Sequence, residues 1–266
     1  MLLYEIMSKK TKFADVMTAP SIPISTGLKS LDEVTNKFNP GEAVIITSVD
    51  PMSGTAFVLS LALKASAGAR IPTLLLSSIT STEQMAKWVF LGMDDFQEMP
   101  KNAPLYIEET KNKTIDELKE RIVEMVKNSL VEVVIIDSID YIYQTLPAKD
   151  GQRITSLYEF IREMKQLARE LSLVLVMTAR AFDNMELPKE IKIIEPIVDL
   201  LIGIEMLDAF KDQDKRLLIV NKNEENIATL LVMFDRRRAK FYDEGVSYEP
   251  GVYKEEAERE VGVKCQ

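Results

Sequence analysis

The chain has no histidine and a single cysteine, Cys265, near its C-terminal end. Those two shortages exclude a histidine-based catalytic triad, a Cys/His zinc site and an internal disulfide. Basic residues are also in deficit: 33 Lys and Arg face 42 Asp and Glu, for a formal net charge of -9. So acidic a chain lacks the electrostatic footprint of a non-specific nucleic-acid binder, and any DNA or RNA contact has to be local. No uninterrupted apolar stretch is long enough to cross a bilayer, and Met1 to Thr11 lacks the basic region, apolar core and small-residue cleavage site of a secretory signal. The expectation is a cytoplasmic protein with no membrane partner.

What the chain does have is material for a core. Hydrophobic residues make up 46% and charged residues 28% of its 266 positions, which fits one large soluble domain and neither a disordered nor a fibrous chain. Residues 1–21 read as an arm or linker, with a helical pattern between Leu2 and Val16 that ends at Pro20. Residues 22–245 read as the domain and residues 246–266 as an acidic tail.

Strand and helix alternate along the domain. Ala43 to Thr47 is a continuous β-branched and aliphatic run, the mark of a strand covered on both faces. Thr55 to Ala69 is apolar on nearly every side and reads as a buried helix. Thr73 to Ser78 is the next strand, and Ser81 with Gln84 is a capping box that opens a helix. A second box, Thr114 with Glu117, opens a helix whose Leu118, Ile122, Met125 and Val126 share a face. Val133 to Asp137 is a buried strand ending in an acid, the place where ligand-facing residues sit in parallel sheets. A strongly periodic helix, Ile154 to Leu171, and a strand from Leu173 to Met177 follow. Runs at Leu200 to Glu205, Arg216 to Lys222, Ala228 to Phe234 and Ala239 to Tyr242, joined by short polar turns, predict an antiparallel extension. The pattern is α/β: a mostly parallel sheet covered by helices, with antiparallel strands added at the C-terminal end.

A strand, a short loop and a buried helix, with an Asp-ended strand about eighty residues later, is the skeleton of a P-loop nucleotide-binding fold. A working loop, G-x-x-x-x-G-K-[ST], wraps backbone N–H groups around phosphates, sets a Lys against them and offers Mg²⁺ a hydroxyl. Here the stretch is Ser48-Val49-Asp50-Pro51-Met52-Ser53-Gly54-Thr55.

The residues around that stretch carry a resemblance. Thr26-Gly27-Leu28, Leu31-Asp32, Thr35 and Phe38-Asn39-Pro40-Gly41 resemble the opening of the RecA-like ATPase domain of DnaB-family replicative helicases. Met52 with Thr55-Ala56-Phe57, Glu83-Gln84-Met85-Ala86, Pro104-Leu105-Tyr106-Ile107, Thr114-Ile115-Asp116-Glu117 and the strand to Asp137 fit the same family in order, over residues 22–243. The related KaiC and RadA families share the architecture, and the Pro104 to Glu117 stretch favours the helicase group.

Set in register with the family, the chain departs from it where the chemistry sits. The loop glycine is Ser53, the phosphate-binding Lys is Gly54, and Asp50 adds a carboxylate to a loop meant for polyanions. Sliding the register by one residue makes Gly54 the loop glycine and still supplies no Lys. The position of the water-activating Glu is Ile79, that of the γ-phosphate-sensing Gln is Arg180, and the Lys-x-Arg pair that reaches a neighbour's site is Lys222-Asn223-Glu224. Thr55 and Asp137 remain as the pair expected on the metal side, in use only where Mg-nucleotide binds. Each also has a plain structural reading, Thr55 as a helix N-cap and Asp137 as an acceptor for neighbouring N–H groups.

The resemblance therefore implies a degenerate nucleotide site at Ser53, Gly54, Thr55, Asp137 and Arg180, with no catalytic residue and no cofactor beyond weakly held Mg-ATP. It implies a pseudo-ATPase acting as a binding or regulatory component linked to DNA replication or repair. Its partner would be a second copy or a helicase-like relative, since such helicases assemble as rings in which each subunit completes its neighbour's site. Two other readings stay open. One is a weak or unconventional NTPase that uses Arg180 or a partner's residue in place of the Lys. The other is a DNA-binding accessory working without nucleotide through Arg236, Arg237, Arg238 and Lys240, although a charge run of this kind ordinarily faces water, and the local cationic cluster reads first as a solvated turn and edge strand.

Overall fold

The computed structural model describes residues 22–92, 102–111, 113–145, 152–181, 194–206 and 215–248. The arm read at residues 1–21 lies outside them, as does the tail read at 246–266 except for residues 246–248, which continue the last strand rather than belonging to a tail.

Nine strands form one sheet: β1 (Ala43–Ser48), β2 (Thr73–Ser77), β3 (Leu105–Glu109), β4 (Val133–Asp137), β5 (Val174–Arg180), β6 (Leu200–Met206), β7 (Lys215–Lys222), β8 (Glu225–Asp235) and β9 (Lys240–Tyr248). Their order is β3-β2-β4-β5-β1-β6-β7-β8-β9. The first six in that order run parallel, and β7, β8 and β9 continue the sheet antiparallel. The expected architecture is therefore the observed one. Residues of β1 are buried throughout and alternate between two cores, Val44 and Ile46 facing one side, Ala43 and Ile45 the other. Each such Val or Ile side chain contributes about 1.5–3 kcal/mol by leaving water.

Helices α1 (Lys29–Thr35), α2 (Pro51–Leu63) and α3 (Thr82–Gly92) supply the first core, and α4 (Ile115–Ser129), α5 (Ile139–Thr145) and α6 (Gln152–Glu170) the second. The capping box of α4 forms as read: the Thr114 hydroxyl accepts from the Glu117 N–H, and the Thr114 N–H donates to the Glu117 carboxylate. Ser81 likewise accepts from the Gln84 N–H. Asn39-Pro40-Gly41-Glu42 turns the chain into β1, with Gly41 at φ +86°, which only glycine adopts without strain.

Several features differ from the sequence reading, among them helix α5, which it does not contain, and two others. Strand β3 is absent from it, because an edge strand half open to solvent with two glutamates carries little apolar signal. Helix α2 begins at Pro51 rather than Thr55, so half of the expected loop is helical. Its cause is local: Asp50 is the N-cap and Pro51 sits at the first helical position, where its fixed φ suits the helix and its missing N–H costs nothing.

Candidate functional site

The parallel strands β1, β2, β4 and β5 end together at Ser48, Ser77, Asp137 and Arg180, and helix α2 starts immediately after β1. This is the edge where α/β sheets bind ligands.

Asp137 closes β4 with its side chain buried. Its carboxylate accepts from three hydroxyls on three elements: Thr178 on β5 at 2.7 Å, Thr55 on α2 at 3.0 and 3.2 Å to its two oxygens, and Ser77 on β2 at 3.2 Å. Burial pushes the Asp137 carboxyl above the ordinary Asp range, the three hydroxyl contacts pull it down, and the Asp140 charge adds to the rise. Both plain readings are corrected here. Thr55 lies inside α2 rather than at its cap, and the donors to Asp137 are hydroxyls rather than the backbone N–H groups expected. The structure thus brings together the two residues read as the metal-side pair, in direct contact with one another.

The start of α2 is closed in a different way. Pro51 has no N–H to offer, the Met52 N–H donates to Asp50 Oδ1 at 3.1 Å, and the Ser53 N–H donates to the Asp50 carbonyl at 3.0 Å. Ser53 Oγ donates to Asp50 Oδ2 at 3.0 Å, and Arg236 Nη2 donates to the same oxygen at 3.0 Å from the β8–β9 turn. Arg216, a buried residue of β7, points its Nε at Ser53 Oγ at 3.4 Å and lies over the Phe234 ring at 5.1 Å. Gly54 packs against Ser48: a Cβ placed there would stand 2.8 Å from the Ser48 hydroxyl.

Arg180, the cation read as a substitute for the missing Lys, pairs with Ser48 in the β1–β5 ladder, and its N–H donates to Asp140 Oδ2 at 2.9 Å. Its side chain is exposed, and among the described residues the cations that reach positions 50–53 are Arg216 and Arg236. Ile79 stands exposed in the bend after β2, offering no proton acceptor. Glu224 lies in the β7–β8 turn beside Asn223, both at positive φ, an arrangement that fits a two-residue type I′ hairpin.

Three members of the basic cluster have partners within the chain. Arg236 is paired with Asp50, Arg238 Nε lies 3.7 Å from Asp235 Oδ2, and Lys240 Nζ lies 5.2 Å from the centre of the Tyr242 ring. Asp235 Oδ1 accepts from the N–H groups of Arg237 and Arg238, which sets the turn.

These residues do not fit Mg-ATP in the manner of a P-loop. The first-turn N–H groups that cradle phosphate elsewhere are absent or turned to Asp50, a carboxylate stands at the helix N-terminus, and Thr55 is bonded to Asp137. Among the described residues, no group of three or more His, Cys, Asp or Glu is placed to hold a metal ion.

Comparison with known proteins agrees with the motif series. The family described as DnaB-like helicase C terminal domain matches residues 92–189. A probable replicative DNA helicase of Trieres chinensis is 23% identical over 83% of this chain and 57% of its own length. The replicative DNA helicase DnaB of Leifsonia xyli subsp. xyli is 24% identical over 90% of this chain and 59% of its own. The chain thus spans somewhat over half the length of these relatives. Among solved structures, a DnaB-like replicative helicase studied with its primase interactions superposes with a TM-score of 0.68 at 16% identity, covering 91% of this chain and 65% of that one. A KaiC-like protein from Pyrococcus horikoshii superposes at 0.63 with 18% identity, covering 86% of this chain and 100% of that one. The chain has the RecA-like fold and is similar to the ATPase domain of DnaB-type replicative helicases.

Proposed function

We propose that this chain is a RecA-like domain that has left ATP turnover and serves as a binding or regulatory component of a helicase-like assembly, in contact with a second copy or a helicase-like relative. The observation that carries the reading is helix α2 starting at Pro51, so that the residues which should loop around a phosphate are already helical and bonded to Asp50. Further support comes from Ile79 and Glu224, which stand where the family keeps a base and a trans-acting arginine. Without the Lys, the base and the arginine, each of the kind whose loss commonly lowers a rate about 10²–10³-fold, turnover falls to background.

A link to DNA replication rests on the replicative helicases that the chain resembles, one of them solved in a study of its interactions with primase. Such a component works in the cytoplasm and needs no membrane, and among the described residues no helix is long and apolar enough to cross one. Mg-ATP is at most a weak ligand.

The test is titration calorimetry of the full chain with Mg-ATP, paired with thermal melts. The expected result is no measurable heat and no rise in Tm at millimolar ATP. A dissociation constant in the tens of micromolar, stabilising the fold by about 3 kcal/mol at that concentration, would overturn the reading.

A further inference from the structure

Asp50 has more partners than an N-cap needs. A cap requires one backbone N–H, and Met52 provides it. The same carboxylate also receives the Ser53 hydroxyl and the Arg236 guanidinium, the latter from 186 residues away, while buried Arg216 approaches Ser53 from 163 residues away. A helix N-terminus with about half a positive charge, a hydroxyl and a guanidinium group are donors of the kind that bind phosphate oxygens, and Arg216, whose Nη1 donates to the Lys215 carbonyl, adds its charge behind Ser53. Here a carboxylate of the chain itself sits among them.

We propose that Asp50 is a built-in anion: it fills a phosphate-type oxyanion site formed by the N-terminus of α2, Ser53, Arg216 and Arg236, and keeps external phosphates out of it. This rests on the reading of the chain as a domain that does not bind Mg-ATP and adds how the site is kept closed. Tethered two residues from the N–H it caps, the carboxylate has an effective concentration far above that of free anions in solution. It also spares the domain a nucleotide for order, because the Asp50–Arg236 pair ties the β8–β9 turn to the start of α2. Phe57, Phe234 and Phe241 join the same elements below it, with ring centroids 5.4 and 4.7 Å apart.

The experiment replaces the anion without removing the cap. Asp50→Ser keeps a strong N-cap hydroxyl and deletes the charge. Thermal melts and calorimetry of the full chain are run with inorganic pyrophosphate against sodium chloride of equal ionic strength, for the wild type, Asp50→Ser and Asp50→Ser with Arg236→Ala. The wild type is expected to show no pyrophosphate-specific shift. Asp50→Ser is expected to gain about 4 °C and at least tenfold in affinity, and the double variant to lose most of that gain. Should Asp50→Ser fold poorly, Asp50→Asn replaces it, keeping an acceptor oxygen in the same place. A charge-free variant that responds no more than the wild type, or a double variant that keeps the full response, would overturn the proposal. The outcomes separate cleanly: Mg-ATP binding by the wild type removes the functional reading, whereas a silent wild type with a silent Asp50 variant removes this inference alone.

Discussion

Ser48 and Gly54 face each other so closely that a Cβ on Gly54 would lie 2.8 Å from the Ser48 hydroxyl. That hydroxyl is buried and donates to the Asp50 carbonyl at 2.8 Å, so it is not free to swing aside. In the register that puts Gly54 at the P-loop Lys, Ser48 stands at the first glycine. Both positions depart from the loop pattern: a side chain stands where the pattern has none, and none stands where it has a cation.

The first prediction follows from that contact. The substitutions Ser53→Gly, Gly54→Lys and Asp50→Ser together supply the glycine, the cation and the missing neutrality of a phosphate loop, yet they force the stem of the introduced lysine onto Ser48. The triple variant is expected to lose about 1–3 kcal/mol from overpacking and to bind Mg-ATP poorly. Adding Ser48→Gly relieves the clash, recovers most of the Tm and tightens Mg-ATP binding at least tenfold over the triple, as read by melts and calorimetry. Hydrolysis stays at background in both, since Ile79 accepts no proton and Glu224 cannot stabilise a transferring phosphoryl group. Equal affinity in the two variants would show that Ser48 does not control the loop.

A second prediction concerns the stability cost of Asp137. Its folded pKa lies above the ordinary Asp value, chiefly through burial. A group raised in this way supports the fold fully below its unfolded pKa and withdraws that support as pH rises through the folded value. Asp137→Asn is nearly isosteric and carries no charge, and the hydroxyls of Thr55, Ser77 and Thr178 can rotate to meet its amide. The variant is expected to match the wild type at about pH 4 and to exceed it by about 1–2 kcal/mol at about pH 8. Denaturant melts across that range check it, and a gap that stays constant or closes with rising pH would contradict it.

Much of this frame was legible because its causes are local. The Thr114–Glu117 box announces α4, the run from Ala43 announces a strand buried on both faces, and both form as read. The start of α2 was equally legible in Asp50-Pro51, an N-cap followed by proline at the first helical position. Reading that stretch as a phosphate loop set the local signal aside, and the local signal held. Arg216 was not legible at all. It stands at the head of an apolar strand, where a charge ordinarily marks the exit to solvent, and the antiparallel pairing of β7 with β8 brings it over Phe234, from where it also reaches Ser53. The hydroxyls of Ser77 and Thr178 were hidden for the same reason, since strand ends distant in sequence meet at Asp137 only through the sheet order.

The last prediction concerns DNA. Of the four cations read as a cluster, Arg236 is paired with Asp50, Arg238 lies beside Asp235 and Lys240 leans on Tyr242, while the Arg237 side chain is exposed at the tip of the turn. Three of the four must give up an intramolecular partner before meeting a phosphate, and the net charge of -9 repels the polymer as it approaches. Each phosphate neutralised steepens the dependence of log K on log salt by about 0.9 for duplex DNA. The expected slope is therefore about -1, carried by Arg237, rather than the roughly -3 or steeper of a cluster acting together. Fluorescence anisotropy of a labelled duplex, titrated at several sodium chloride concentrations, measures it. Arg237→Ala is expected to remove most of what binding there is, and Arg238→Ala to change it little. A slope of about -3 that Arg237→Ala lowers by only about one unit would mean that the turn opens on DNA and that the four cations act as one surface.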